Sequence, residues 1–178
     1  MCMVLDFTVI DAETTGRSDK ADDVTEISAI KYRNGEPVAS FSTLIKSKNT
    51  ILPFVVELTG ITNSMIQDAP LIDEIIINLV DFIGDDVILG HDVNFDYGLI
   101  KESYERVSQE PFDNEKIDTL SLAQCLIKDS VNHKLETLCD YFSIPREIGH
   151  RALDDCRQTA DVYLNIVSKY KERYHECL

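Results

Sequence analysis

At 178 residues, with 44% hydrophobic and 28% charged side chains, the chain has the size and balance of one folded domain, expected to run from residue 1 to 178 and to bury roughly 68–70% of its unfolded surface; disorder and low complexity are excluded. A net charge of −15 excludes wrapping of long duplex through many phosphate contacts, but distant acids are screened beyond a Debye length of about 8 Å, so a strand end can still meet a local cation site. Five scattered cysteines without a C-x-x-C pair, no basic leader and no run near the ~18 apolar residues of a membrane span point to a cytoplasmic protein without zinc, a disulfide framework or a membrane anchor.

The β-branched run from Phe7 predicts a first strand over residues 7–13. It ends in Asp11 and Glu13, which a period of two puts on one face with Ala12 turned the other way. Carboxylates side by side repel, so one holds a proton unless a cation or strong donors neutralise the pair. Oxygen-only ligands suit Mg²⁺ or Mn²⁺, and Thr14, Thr15 and Gly16 offer backbone N–H groups and a permissive glycine where a ligand can approach. Residues 17–23 read as a polar loop. Strands over 24–32 and 38–45 join across Asn34-Gly35, a strong hairpin signal, and are therefore antiparallel. Glu26 interrupts the apolar run of the second strand; a hydrogen-bonded or partly exposed carboxylate is preferred there over an approach to the acidic pair.

Pro53 to Gly60 reads as a short helical turn. After Pro70 a helix carries Ile72, Ile75, Ile76, Leu79, Val80 and Ile83 at helical spacing and closes near Gly84. A short buried strand over 86–90 leads through His91 to a helix from Asn94 to Val107. Its inner stripe is Asp96, Leu99, Ile100, Ser103, Tyr104 and Val107. Asp96 heads a core-facing stripe, so it either caps the helix start or faces a cation; taken alone, the cap is preferred. A strand over 114–118 and helices over 119–126 and 135–142 follow, with Asp118 as an N-cap and His133 in a structural position. A loop with Pro145 and Gly149 reaches His150, and the last helix runs from about Ala152 to Tyr170. Asp155 lies on its apolar stripe of Ala152, Cys156, Ala160, Tyr163, Leu164 and Val167, whereas Asp154 is turned roughly 100° away. This alternation predicts an α/β domain around a mixed sheet.

Four inward carboxylates, Asp11, Glu13, Asp96 and Asp155, with His150 beside the last, would repel severely without cations. Two divalent ions about 3.5–4 Å apart would neutralise them and clamp a phosphate. The residues fall in three segments, DAETTG at 11–16, HDVNFD at 91–96 and HRALDD at 150–155. Together these resemble the three motifs of the DEDDh 3′-to-5′ exonucleases. Glu57 to Thr62 and Ile117 to Leu120 extend the resemblance over nearly the whole chain. It is strongest toward the proofreading exonucleases of Gram-positive replicative polymerases and the epsilon subunit of bacterial DNA polymerase III.

The resemblance implies a ribonuclease H-like fold, a five-stranded mixed sheet of order 3-2-1-4-5 flanked by helices. It implies that Asp11, Glu13 and Asp155 hold one divalent ion, Mg²⁺ or Mn²⁺, that Asp11 with Asp96 nearby serves a second, and that His150 is the general base. Thr14 and Thr15 would hold the terminal 3′-OH, with Leu58, Ile61 and Phe95 packing on terminal bases. The implied reaction is hydrolysis of terminal phosphodiester bonds of single-stranded or frayed DNA to nucleoside 5′-monophosphates, in proofreading or end processing. Trimming of RNA or short oligonucleotides is the alternative within this chemistry, and a catalytically silent interaction module the alternative outside it. The implied partners are single-stranded 3′ ends, DNA over RNA, a DNA polymerase, and a second copy of the chain in a homodimer. One position departs from the family: Asp92 stands where Asn is usual and adds negative charge near the second motif. No long tail follows the last predicted helix, which leaves a protein that works alone, dimerises or docks through another surface.

Overall fold

Phe7, Val9 and Ile10 are buried on opposite faces of β1 (Phe7–Thr14), which is why this strand takes the middle of the sheet. The computed structural model describes residues 3–16, 23–146, 150–171 and 173. Beside β1, β2 (Val24–Arg33) runs antiparallel and β4 (Val87–Gly90) parallel. The outer strands are β3 (Glu36–Leu44) and β5 (Lys116–Asp118), giving the expected order β3-β2-β1-β4-β5. The β2–β3 turn forms because Asn34 and Gly35 both take positive φ, 53° and 78°, the twist a two-residue hairpin requires.

Side-chain alternation along β1 separates two cores. Phe7 and Val9 pack with Cys156, Ala160, Tyr163 and Val167 of α6 (Ala152–Lys169) on one face. On the other, Ile10 meets Ile72, Ile76, Leu79 and Ile83 of α2 (Ile72–Ile83) and Leu99 and Ile100 of α3 (Asn94–Ser108). Each Val, Leu, Ile or Phe among these, fully removed from water, contributes about 1.5–3 kcal/mol. Helices α4 (Thr119–Leu126) and α5 (Leu135–Phe142) pack on the far side of α6. The segment read as a helical turn is α1 (Pro53–Thr59), closed by Gly60 at φ 71°. No helix among the described residues is long and apolar enough to cross a membrane.

Three local expectations change. Val107 is exposed, and Tyr97 takes a place on the inner face of α3 because its ring packs 5.1 Å from Phe112 and its hydroxyl donates to Phe112 O. β3 begins at Glu36 rather than Val38. Cys139 and Cys156 are free and buried, but Cys125 is disulfide-bonded, which the scattered spacing does not anticipate. The predicted loop over 17–23 lies outside the described residues except for Asp23, and residues 147–149 of the Pro145–Gly149 loop also lie outside them.

Helix α1 reaches the end of β1 through a close approach to Gly16. That residue has φ 77°, and a Cβ there would lie 2.6 Å from Val55 Cγ2 and 3.0 Å from Phe54 Cζ. Gly16→Ala is therefore expected to destabilise the fold by about 2–4 kcal/mol, from left-handed strain plus overpacking. A lower denaturant midpoint at unchanged m-value would register this; an unchanged midpoint would mean that α1 is free to move away.

Candidate active site

The β1 pleat carries Asp11 and Glu13 onto the face occupied by α6, while Ala12 packs into the opposite core. Asp155, in the first turn of α6, is buried and faces them. One carboxylate oxygen from each of Asp11, Glu13 and Asp155 lies within 4.8 Å of the others, a spacing that a metal ion could bridge. His150 Nδ1 stands 3.3 Å from Asp155 Oδ2, and the His150 backbone N–H donates to Leu58 O at the end of α1, 3.0 Å away.

Asp96 reaches the same place from α3. The N-cap is Val93, which makes no side-chain cap bond, so the preferred capping role is overturned. The buried Asp96 carboxylate instead feels the backbone N–H groups of Ala12 and of Asp96 itself, which favour its charged form. An acid in the first turn gains from the helix dipole, but here it is also drawn beneath β1, beside Asp11.

Burial and mutual repulsion make this cluster hold protons. Burial pushes the Asp11 carboxyl well above its usual range, and the charges of Asp96, Glu13, Asp155 and Glu26 push it further. Glu13 is raised to about 8 by burial first and then by Asp155, Glu26 and Asp96. Asp96 is also raised to about 8, by burial against the pull of the Ala12 and Asp96 backbone N–H groups. Asp155 is raised by burial although His150 opposes the shift.

Glu26 lies directly across the β1–β2 ladder from Glu13 and is buried at 2% exposure. The hydrogen-bonded reading of this residue is correct, and partial exposure is not. Its carboxylate accepts from Arg151 Nη2 at 2.6 Å and Nε at 3.0 Å, and from the Ala152 backbone N–H at 3.0 Å. Because Ala152 opens α6 and its N-cap Arg151 makes no side-chain cap bond, an acid from β2 serves the N-terminus of the helix that presents Asp155.

A cleft of about 560 Å³ opens over the cluster, lined by residues that include Asp11, Leu58, His91, Arg146, His150 and Asp155. His91 Nε2 lies 2.9 Å from His133 O and can only donate there; Nδ1 lies 2.8 Å from Thr119 Oγ1. Burial lowers its pKa; His91 opens the HDVNFD segment, but that motif gave it no place in the cleft. Asp118 caps α4 as expected, accepting from Leu120 N and Ser121 N, and also accepts from Asp92 N at 2.8 Å. Asp92 sits at φ 62°. Asn and Asp are the side chains that tolerate this conformation best, so the departure from Asn keeps the backbone while adding a charge that raises Asp96 slightly.

The expected substrate contacts divide. Leu58 and Phe95 are exposed, Leu58 in the cleft wall and Phe95 on the first turn of α3. Thr14 is half-buried, its Oγ1 accepting from Gly16 N at 3.3 Å, and Gly16 is exposed. Ile61 is corrected: at 1% exposure it packs with Ile51, Val55 and Ile66 beneath α1 and has no surface for a base. Thr15 is corrected too, because it is fully buried and its N–H and hydroxyl both donate to Asp23.

The donor set is all oxygen, tightly spaced and proton-holding, and the adjoining His150 and Arg151 side chains lie against Asp155 and Glu26. Hard divalent cations suit such a set.

The family model described as exonuclease, RNase T, matches residues 8–163. The PolC-type DNA polymerase III of Caldanaerobacter subterraneus subsp. tengcongensis is 36% identical over 167 residues, covering 94% of this chain and 12% of the polymerase. That of Bacillus subtilis is 35% identical over 174 residues, covering 96% of this chain and again 12% of the polymerase. The chain thus spans about an eighth of the length of these relatives. Among solved structures, exonuclease X in complex with 5′ overhanging duplex DNA superposes with a TM-score of 0.73 at 25% identity, over 93% of each chain. E. coli exonuclease I in complex with a dA16 oligonucleotide has the same fold, with a TM-score of 0.80 at 19% identity over 97% of this chain and 42% of the other.

Proposed function

The chain belongs to the RNase T exonuclease family, with a ribonuclease H-like fold, and we propose that it is a single cytoplasmic domain that removes nucleotides from the 3′ end of single-stranded or frayed DNA. The products are nucleoside 5′-monophosphates, and the role is proofreading or end processing beside a DNA polymerase. One observation carries this reading: Asp11, Glu13 and Asp155 converge within 4.8 Å, Asp11 and Asp155 line a cleft, and His150 stands against the last of them. The PolC-type relatives and the DNA in the exonuclease X complex favour DNA over RNA and a polymerase as partner.

Asp11, Glu13 and Asp155 would hold one divalent ion, Mg²⁺ or Mn²⁺, and Asp96 beside Asp11 would serve a second. When bound, the ions supply positive charge to the scissile phosphate and to the oxygens entering and leaving it. His150 is 43% exposed at its side chain and can take the proton of the attacking water, while Asp155 orients the imidazole through Nδ1 and leaves Nε2 to accept. Thr14 and Gly16 would receive the terminal sugar, and the exposed Leu58 and Phe95 offer apolar surfaces for bases of any sequence.

Digestion of 5′-labelled DNA and RNA single strands, with Mg²⁺ or Mn²⁺ and with chelator, tests the reading. The expected result is a ladder shortening from the 3′ end, faster on DNA and absent in chelator. Faster RNA shortening would replace the substrate, since a 2′-OH then fits beside the terminal sugar. No cleavage of either polymer by folded, metal-supplied protein would leave a silent interaction module. In the same assay His150→Ala is expected to lower the rate by about 10²–10⁴-fold, the usual contribution of a positioned general base. A change of less than threefold would assign the proton to another group.

A further inference from the structure

The residue following His150 is a cation, and it is held away from the acidic cluster. Arg151 is half-exposed, and it stands near enough to Glu13 for its charge to oppose the effect of burial on that carboxyl. A guanidinium is built to clasp a carboxylate through two parallel hydrogen bonds, and the nearest acids besides Glu26 include Glu13 across the ladder. Paired there, it would neutralise a carboxylate of the cluster and compete with any divalent ion. What prevents this is geometric. Both Glu26 oxygens are taken, Oε1 by Nη2 and Nε at 2.6 and 3.2 Å and Oε2 by Nε and the Ala152 N–H at 3.0 Å each, so the guanidinium is locked on the β2 side.

We propose that Glu26 is a positioning residue that sequesters the Arg151 guanidinium, keeping Asp11, Glu13 and Asp155 open to a divalent cation. This rests on the reading of those three acids as the metal-holding group. Glu26 itself touches neither substrate nor metal; it acts through Arg151. Its burial among four donor contacts leaves it no free oxygen for an ion.

The test is Mn²⁺ affinity of the protein without nucleic acid, read by the electron paramagnetic resonance of free Mn²⁺, in wild type, Glu26→Gln, Arg151→Gln and the double variant. Glu26→Gln is expected to weaken Mn²⁺ binding by roughly 10–100-fold, the range seen when an outer partner of a metal site is removed. The double variant should bind Mn²⁺ within roughly threefold of Arg151→Gln alone, because no guanidinium remains to be held back. A purely structural Glu26 would lower affinity in both backgrounds alike. A double variant roughly tenfold or more weaker than Arg151→Gln overturns the proposal, and that comparison stands even if Glu26→Gln alone does not fold. Wild-type affinity in a folded Glu26→Gln also overturns it, as does a wild type that binds no Mn²⁺ at millimolar concentrations. A wild type that shows the expected Mn²⁺ pattern but digests no strand would instead remove the exonuclease reading and leave the sequestration in place.

Discussion

Asp155→Ala is expected to abolish cleavage, whereas Asp154→Ala should keep most of it. The two acids are adjacent in sequence but about 100° apart around α6. Asp155 is buried against Asp11 and Glu13; Asp154 turns to the surface and pairs with Arg157. Removing one of three converging carboxylates loses several kcal/mol of transition-state charge stabilisation, about a thousandfold or more in rate. Losing Asp154 removes a favourable charge at the helix start, about 0.3–1 kcal/mol of stability, with little effect on chemistry. Single-turnover rates on a labelled strand, with melting curves to establish folding, decide the matter. Equal losses in the two variants would mean that the rotational setting of α6 does not select the acid.

The second large effect is on stability without metal. Glu13 and Asp96 are raised to about 8 and Asp11 well above its ordinary value. In the unfolded chain these carboxyls release their protons near pH 4. Between about pH 4 and 8 the native state therefore binds more protons than the unfolded state, so stability falls as pH rises through that window and is fully present only below it. The melting temperature of metal-free protein should drop by several degrees between pH 5 and 8, since each kcal/mol shifts it by roughly 2–4 °C at this chain length. Saturating Mn²⁺ or Mg²⁺ should restore more at pH 8 than at pH 5, where protons compete with the ion. A metal-free melting temperature that is flat or rises over this range would contradict a proton-holding cluster.

What could be read from the sequence was what local periodicity encodes. The alternation at Phe7, Val9, Asp11 and Glu13 and the helical spacing around Asp155 each state which side a residue faces, so the meeting of strand and helix followed from two local patterns. The hairpin followed from Asn34-Gly35 alone. Glu26 could not be placed this way. An acid in a buried strand requires a partner, but Arg151 lies 125 positions away and nothing local marks it as the one. Ile61 and Leu58 look alike in sequence; which is core and which is cleft wall depends on the direction from which α1 meets Ile51 and Ile66. Tyr97 and Val107 exchanged roles on α3 because the loop carrying Phe112 folds back over the helix, a contact that a 3.6-residue period does not contain.

The hydrogen bond from His150 N–H to Leu58 O joins the residue proposed as proton acceptor to the wall of the cleft. A terminal base pressing on Leu58 would bear on the same short helix from whose final turn the Leu58 carbonyl holds the His150 N–H. Seating of the strand end and alignment of the imidazole would then be a single mechanical event. An enzyme wired this way would discriminate by how firmly the last nucleotide settles: a loosely seated end would be passed over for want of a proton acceptor in position, without any base being identified.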